Sequence, residues 1–336
     1  MVTMHDVARA AGVSLMTVSN VINDHPHVKQ GTRERVLEAI DALNYKVNVA
    51  ARNLRSGRTG TIGLAVPEID RPYFGQLAAL VIERAAARGF RVAVEQTGAS
   101  RENELEALAA SRIRLYDGLL LSTVGLGPAD ADLLNVEYPV VLLGERIFDG
   151  PVPHVAMPNV EGARSAVEHL ISQGASRIAF IGSPESLSEI GASGLRVRGY
   201  REAVEGAGLA FDSRLLFRTA SFSMPEGARV AGMLINSGVD VDAVFCANDS
   251  LAFGVLRRLA DSGVRVPDDM LVIGFDDVLE ARYSIPSLST VAPDHVQMAT
   301  AAVDLLAARI AKAGTAAEPT ELVSDYRVVM RESTSV

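Results

Sequence analysis

The sequence has one cysteine, Cys246, in 336 residues. A single thiol excludes an intramolecular disulfide framework and a cysteine-rich metal site. It sits in the apolar run Ala243–Ala247, which fits a buried, inert thiol. No stretch reaches the roughly 18 uninterrupted apolar residues of a membrane helix. No apolar signal core opens the chain either, since polar and charged residues begin at His5 and Asp6. These absences fit a protein of the reducing cytoplasm with no membrane partner. Catalytic and phosphate-binding signatures are also missing. There is no G-x-G-x-x-G opening a helix, no P-loop, no G-x-S-x-G and no H-E-x-x-H. The six histidines are scattered: His5, His25 and His27 near the start, and His154, His169 and His295 without ligand spacing. No metal, cofactor or catalytic residue is expected.

What is present has the composition of a globular protein, 48% hydrophobic and 22% charged, long enough for two or three domains. The net charge of −9 argues at first against nucleic acid, but its distribution reverses that reading. Residues 1–58 carry a net +3, which leaves −12 for the rest. A modestly basic head on an acidic body suits a protein that meets phosphates with one end.

The head opens with Thr3 to Asn23. Thr3 and Asp6 fit a capping box, and Val7, Ala8 and Ala11 share a helical face. Gly12 permits a left-handed stop, and Ser14 can cap a second helix. In that helix Val18, Val21 and Ile22 form the core side, which leaves Leu15, Met16, Thr17, Ser19 and Asn20 pointing outward. A helix pair of this kind places its second helix in the DNA major groove; the plain alternative is a helical hairpin that only packs a core. Thr32 is expected to cap a third helix with the stripe Val36, Leu37, Ile40 and Leu43, ending at Asn44-Tyr45. Residues Asn48 to Gly57 read as a short basic segment too small to hold a helix alone. They are either a linker or a hinge helix that orders on DNA, with Arg52 and Arg55 on one face and Leu54 wedged between base steps.

From Thr61 the pattern changes to short apolar runs alternating with amphipathic helices. Strands are expected at Ile62–Val66, Phe90–Glu95, Gly118–Leu121, Val140–Leu143, Arg177–Ile181, Ala243–Cys246 and Leu271–Gly274. Such alternation predicts parallel sheets covered on both faces, here as two α/β lobes. Ligands in such sheets bind beyond the carboxyl ends of strands. The residues there include Tyr73-Phe74, Glu145-Arg146, Asn248-Asp249 and Asp276-Asp277, with Arg196 and Arg198 near a helix start. Aromatic plates with arginines, an asparagine and an aspartate suit a polyhydroxylated ligand. The structural alternatives are that Asp276 or Asp277 caps a loop and that Tyr73-Phe74 belongs to the core.

Taken together, D-V-A-R-A-A-G-V-S-L-M-T-V-S-N-V-I-N (6–23), T-R-E-R-V-L-E-A-I (32–40), A-R-N-L (51–54), C-A-N-D-S-L-A-F-G (246–254), G-V-R-V-P-D-D (263–269) and I-G-F-D-D (273–277) resemble the lactose-repressor/galactose-repressor (LacI/GalR) family of bacterial transcription regulators. The resemblance spans nearly the whole chain. It implies an all-α helix-turn-helix head (1–47), a hinge helix (48–59) and a periplasmic-binding-protein-like α/β core (60–336) for effector binding and dimerisation. Lobe one is then about 60–158 with 293–319, and lobe two about 159–292 with 320–331, with three crossings between them. It implies that Leu15, Met16 and Asn20 read bases, that Thr17 and Ser19 hold phosphates, and that Leu54 is a minor-groove lever. Thr3, Ser14, Asn23, Tyr45 and Arg52 complete the expected DNA-contact set. Tyr73, Phe74, Arg146, Arg196, Asn248 and Asp276 are the implied effector contacts. Some positions depart from the family pattern. Val47 stands where proline is common, Asn20 where arginine or histidine is frequent, and Leu15-Met16 favour thymine-methyl or shape readout over hydrogen bonds. No leucine-heptad tail is present, so a homodimer is expected on a pseudo-palindromic operator.

The expected function is a small-molecule-responsive repressor of a carbohydrate-utilisation operon. A nucleobase or nucleoside effector on the same architecture is the alternative. A cytoplasmic sugar-binding protein shares the core but not the head, and an α/β enzyme shares only the sheet class.

Overall fold

The computed structural model describes residues 2–22, 25–46, 57–112, 115–184, 190–312 and 320–335, without the side chains of 110–112 and 183. The chain divides into two compact units, Met1–Thr59 and Gly60–Val336.

The first unit contains α1 (Met4–Ala11), α2 (Leu15–Ile22) and α3 (Gln30–Ala42). Its capping box is formed: the Thr3 hydroxyl accepts from the Asp6 amide at 3.4 Å, and the Asp6 carboxylate accepts from the Thr3 amide at 2.9 Å. Gly12 ends α1 with φ 64°, a left-handed turn that glycine adopts without strain. Ser14 starts α2 by accepting from the Thr17 amide at 3.1 Å. Val7, Ala8, Ala11, Val18, Val21, Val36 and Ala39 make the core, with Ile40, Leu43 and Tyr45 against it. Two details of the third helix differ from expectation. It begins at Gln30 without a side-chain cap, so Thr32 lies inside it. Leu37 is 48% exposed, because the helical phase that buries Val36 and Ala39 turns the residue after Val36 outward.

The second unit begins with β1 (Thr61–Val66), α4 (Pro72–Ala86), β2 (Arg91–Gln96), α5 (Arg101–Arg112), β3 (Leu119–Ser122), β4 (Val140–Leu143) and β5 (His154–Ala156). It continues through α6 (Asn159–Ser172), β6 (Ile178–Ser183), α7 (Ala192–Gly206), β7 (Leu216–Arg218), α8 (Met224–Asn236), β8 (Ala243–Cys246) and α9 (Asp249–Asp261). Last come β9 (Leu271–Phe275), β10 (Ser289–Pro293), α10 (His295–Ala311), β11 (Glu321–Val323) and β12 (Tyr326–Val329). One sheet runs β11-β5-β4-β3-β1-β2 and the other β12-β10-β9-β8-β6-β7. Pairing is parallel except between β10 and β12. Leu119–Ser122, Val140–Leu143, Ala243–Cys246 and Leu271–Phe275 are wholly buried, as interior strands of covered parallel sheets must be.

The chain crosses between lobes after β5, after β10 and between β11 and β12. The third crossing corrects the expected boundary. Glu321–Val323, expected in the second lobe, pairs with His154–Ala156 in the first sheet, and the return comes at Ser324-Asp325. A three-residue strand gains its place from an open sheet edge, which its own pattern does not specify. The crossings are tied together: Ser324 donates to the Ala156 carbonyl at 3.0 Å and Asp294 to the Asp325 carbonyl at 2.8 Å. Among the described residues no helix is long and apolar enough to cross a membrane, and no group of three metal-ligating side chains is found.

Candidate functional site

Each unit carries one candidate surface. On the head it is the N-terminal half of α2. Val18 and Val21 face the core, and Met16 on the opposite side is 70% exposed. Leu15, Thr17, Ser19 and Asn20 are half-buried and Ser14 is exposed. The Ser14 and Thr17 hydroxyls lie 2.9 Å apart. The Thr3 hydroxyl donates to Asp6 at 2.7 Å, and Tyr45 packs on the helical core. Asn23, Val47, Arg52 and Leu54, with residues 48–56 of the expected hinge, lie outside the described residues.

In the second unit a cavity of about 490 Å³ opens beyond the carboxyl ends of the strands of both sheets. Tyr73, Phe74, Arg146, Arg196, Asn248 and Asp276 all line it. Their positions follow from local folding. Pro72 opens α4 and sets Tyr73 and Phe74 in its first turn. Asn248 is the N-cap of α9, its side-chain Oδ1 accepting from the Leu251 amide at 2.9 Å. Arg196 lies in the second turn of α7, which starts at Ala192.

Arg196 is 3% exposed and preorganised. Its Nε donates to Asn159 at 2.8 Å, another nitrogen donates to the Ala247 carbonyl, and the guanidinium lies 3.7 Å over the Phe275 ring. Its remaining nitrogen stands 3.7 Å from the Asp276 carboxylate, too far for a hydrogen bond. Asp276 is 5% exposed and left-handed at φ 119°, and Asp277 follows at φ 50°. Two consecutive non-glycine residues at positive φ cost on the order of 1 kcal/mol or more each, so their surroundings must hold them. Burial pushes the Asp276 carboxyl up to about 7; Arg196 opposes the rise, Glu145 adds to it and Arg71 opposes it. Burial likewise raises the Tyr73 phenol well above its ordinary value, with Glu145 and Asp276 adding to the effect. Tyr73 meets Phe74 and His295 edge-on, at 4.9 and 5.5 Å between centroids.

The cavity also recruits residues the sequence pattern leaves unmarked. Ser122 ends β3 and Thr123 follows it, Ser193 lies in the first turn of α7, and Thr219 to Phe222 follow β7. The last group was hidden because β7 spans three partly exposed residues and carries no apolar run. Glu68 and Arg71, an ion pair on the cavity wall, sit in the stretch after β1 that the strand-end rule does mark.

Comparison with known proteins places both units. The signature described as "Bacterial regulatory proteins, lacI family" matches residues 3–48, and "Periplasmic binding protein-like domain" matches residues 167–334. The ribose operon repressor of Halalkalibacterium halodurans is 34% identical over 93% of this chain and 91% of its own. A crystal structure of the Lac repressor dimer bound to operator and the anti-inducer ONPF superposes with TM-score 0.84 and 28% identity, covering 100% of this chain and 99% of that one. A complex of the transcriptional regulator CelR with cellobiose superposes with TM-score 0.73 and 32% identity, covering 99% of this chain and 100% of that one. Helical head and two-sheet core are thus both shared with DNA-binding regulators rather than enzymes, and the chain belongs to the LacI family of bacterial regulatory proteins.

Proposed function

We propose that the protein is a cytoplasmic, homodimeric repressor of a carbohydrate-utilisation operon, released from or driven onto a pseudo-palindromic operator by a sugar in the interlobe cavity. The observation that carries this reading is the Arg196–Asp276 gap. At 3.7 Å the two groups are close but not hydrogen-bonded to each other, so a ligand hydroxyl in the cavity can bridge them from one side, donating to Asp276 and accepting from Arg196. Tyr73 and Phe74 supply apolar cover for a sugar face, and Arg146 and Asn248 supply further polar contacts. The relatives named for the ribose operon and for cellobiose support the same class of effector.

At the other end, Leu15, Met16 and Asn20 read bases, Thr17 and Ser19 hold phosphates, and Leu54 wedges into the minor groove. Thr3, Ser14, Asn23, Tyr45 and Arg52 support the docked head. Effector binding shifts the lobes and so changes the spacing of the heads and the order of residues 48–57.

A gel-shift on the upstream region of its own operon, with and without a panel of sugars and nucleosides, tests the reading. Asp276→Ala should abolish the effector response and leave effector-free DNA binding intact; a variant that still responds normally removes the cavity assignment. Leu54→Ala should weaken operator binding far more than nonspecific binding, and equal losses would sink the wedge role.

A further inference from the structure

We propose that Arg331 is a positioning residue of the effector site: by gripping Asp277 it fixes the strained turn that presents Asp276 to the cavity. Arg331 does not line the cavity. It follows β12, beyond the third crossing, and reaches the turn from a different part of the chain.

The turn Asp276-Asp277 leaves β9 with both residues at positive φ. Such a pair relaxes to ordinary φ unless contacts on several sides prevent it. The contacts are visible. The Asp276 amide donates to the Val291 carbonyl at 2.9 Å, and the Val278 amide donates to the buried Asp249 carboxylate at 3.0 Å. The Asp277 amide donates to the Thr290 hydroxyl at 3.3 Å, and that hydroxyl donates to Asp249 at 2.6 Å. In the turn itself, all of these hold backbone amides. The Asp277 side chain is held instead by Arg331, whose guanidinium donates to its carboxylate at 2.5 Å and to the Leu288 carbonyl at 2.6 Å. Both side chains of the pair are nearly buried, at 11% and 8% exposure. The planar fork of arginine makes this two-point grip, which a lysine cannot reproduce.

Arg331 is itself anchored. Its amide donates to the buried Ser289 hydroxyl at 2.7 Å, the next residue's carboxylate accepts from Ser287 at 2.7 Å, and the Ser333 hydroxyl donates to the Val272 carbonyl at 2.6 Å. Residues 331–334 thus form a clip on the β9–β10 side of the second sheet. A clip needed only to hold its own segment down has no use for a guanidinium buried against the residue after Asp276. The inference rests on the cavity being the effector site, but its test needs no effector, so the two readings fail separately.

The test follows the Asp276 carboxyl in the full-length protein by carbon-detected NMR across a pH titration. The titratable groups facing that carboxyl are Arg196, Glu145, Arg71, Tyr73 and the buried Asp249, and none is altered by the variants. In Arg331→Met the turn relaxes and water reaches Asp276, so its midpoint should fall by about one unit or more from its wild-type position, with Arg331→Lys between the two. Asp277→Asn should reproduce the fall, and the double variant should add nothing to it. An unchanged midpoint in folded Arg331→Met overturns the proposal. So does a loss of thermal stability without a change in midpoint, which makes Arg331 a structural anchor only. Should Arg331→Met fail to fold, Arg331→Lys, which keeps the charge and loses the two-point grip, decides the question by the same criterion.

Discussion

Asp276 sits in the cavity with its carboxyl raised to about 7, mainly by burial. A carboxyl raised above its unfolded value stabilises the protein most when protonated, so that contribution is complete below about pH 4 and is lost as pH rises through 7. Asp276→Asn, which stays neutral, should therefore be more stable than wild type at about pH 8, by an amount on the order of a few kcal/mol, and nearly equal to it at about pH 4. Thermal melts at the two pH values check this; an equal gain at both removes the pH-linked part. His295 works the other way. Burial lowers it to about 4, so its stabilising contribution is lost as pH falls from its unfolded value toward 4, but that slope is common to both proteins and cancels in the comparison. Effector hydroxyls that donate to Asp276 need its ionised form, so sugar affinity should rise from pH 6 to pH 8 with release of a proton, measurable by calorimetry in two buffers. The six cavity residues were legible because they follow apolar strands or open helices. His295 was not: as a lone histidine it carries no signal until Tyr73 and Gln76 from α4 are seen against it.

Among the elements, strands of four or more buried apolar residues announce themselves, and β5, β7 and β10 do not. His154–Ala156 is three residues long, Leu216–Arg218 is a half-exposed edge, and Ser289–Pro293 mixes serine, threonine and proline. How closely helices approach was equally invisible, because it depends on which glycines face each other. A Cβ on Gly254 of α9 would lie 2.0 Å from the Met224 carbonyl, and one on Gly227 of α8 would lie 2.2 Å from the Leu251 carbonyl. Both obstacles are backbone, so the helices must separate. That displacement reaches the cavity, since Asn248 caps α9 and Ser221-Phe222 precede α8. Gly254→Ala should cost about 1–3 kcal/mol and lower the melting temperature by several degrees. Gly206→Ala, at the end of α7 with nothing near its would-be Cβ, should be neutral or slightly stabilising and serves as the control. Equal melting temperatures for the two variants would show that α8 and α9 have slack.

At the scale of the whole molecule, an acidic body and a weakly basic head make a single head a poor DNA reader. Head and hinge together, residues 1–58, carry only +3, and Leu15 and Met16 offer no hydrogen bonds to bases. Two heads held at a fixed half-site spacing supply what one lacks, because the second binds at high effective concentration. The segment after β9 exposes Leu279, Tyr283 and Ile285 at 59%, 77% and 95%. Three large side chains exposed within seven residues fit a patch covered by a second copy. Ile285→Asp places a charge in that patch and leaves the monomer fold alone, since Ile285 contributes almost nothing to its own core. Sedimentation should shift from dimer to monomer, and operator affinity should fall about tenfold or more while nonspecific binding changes little. A variant that stays dimeric and keeps its operator affinity would move the interface elsewhere on the body.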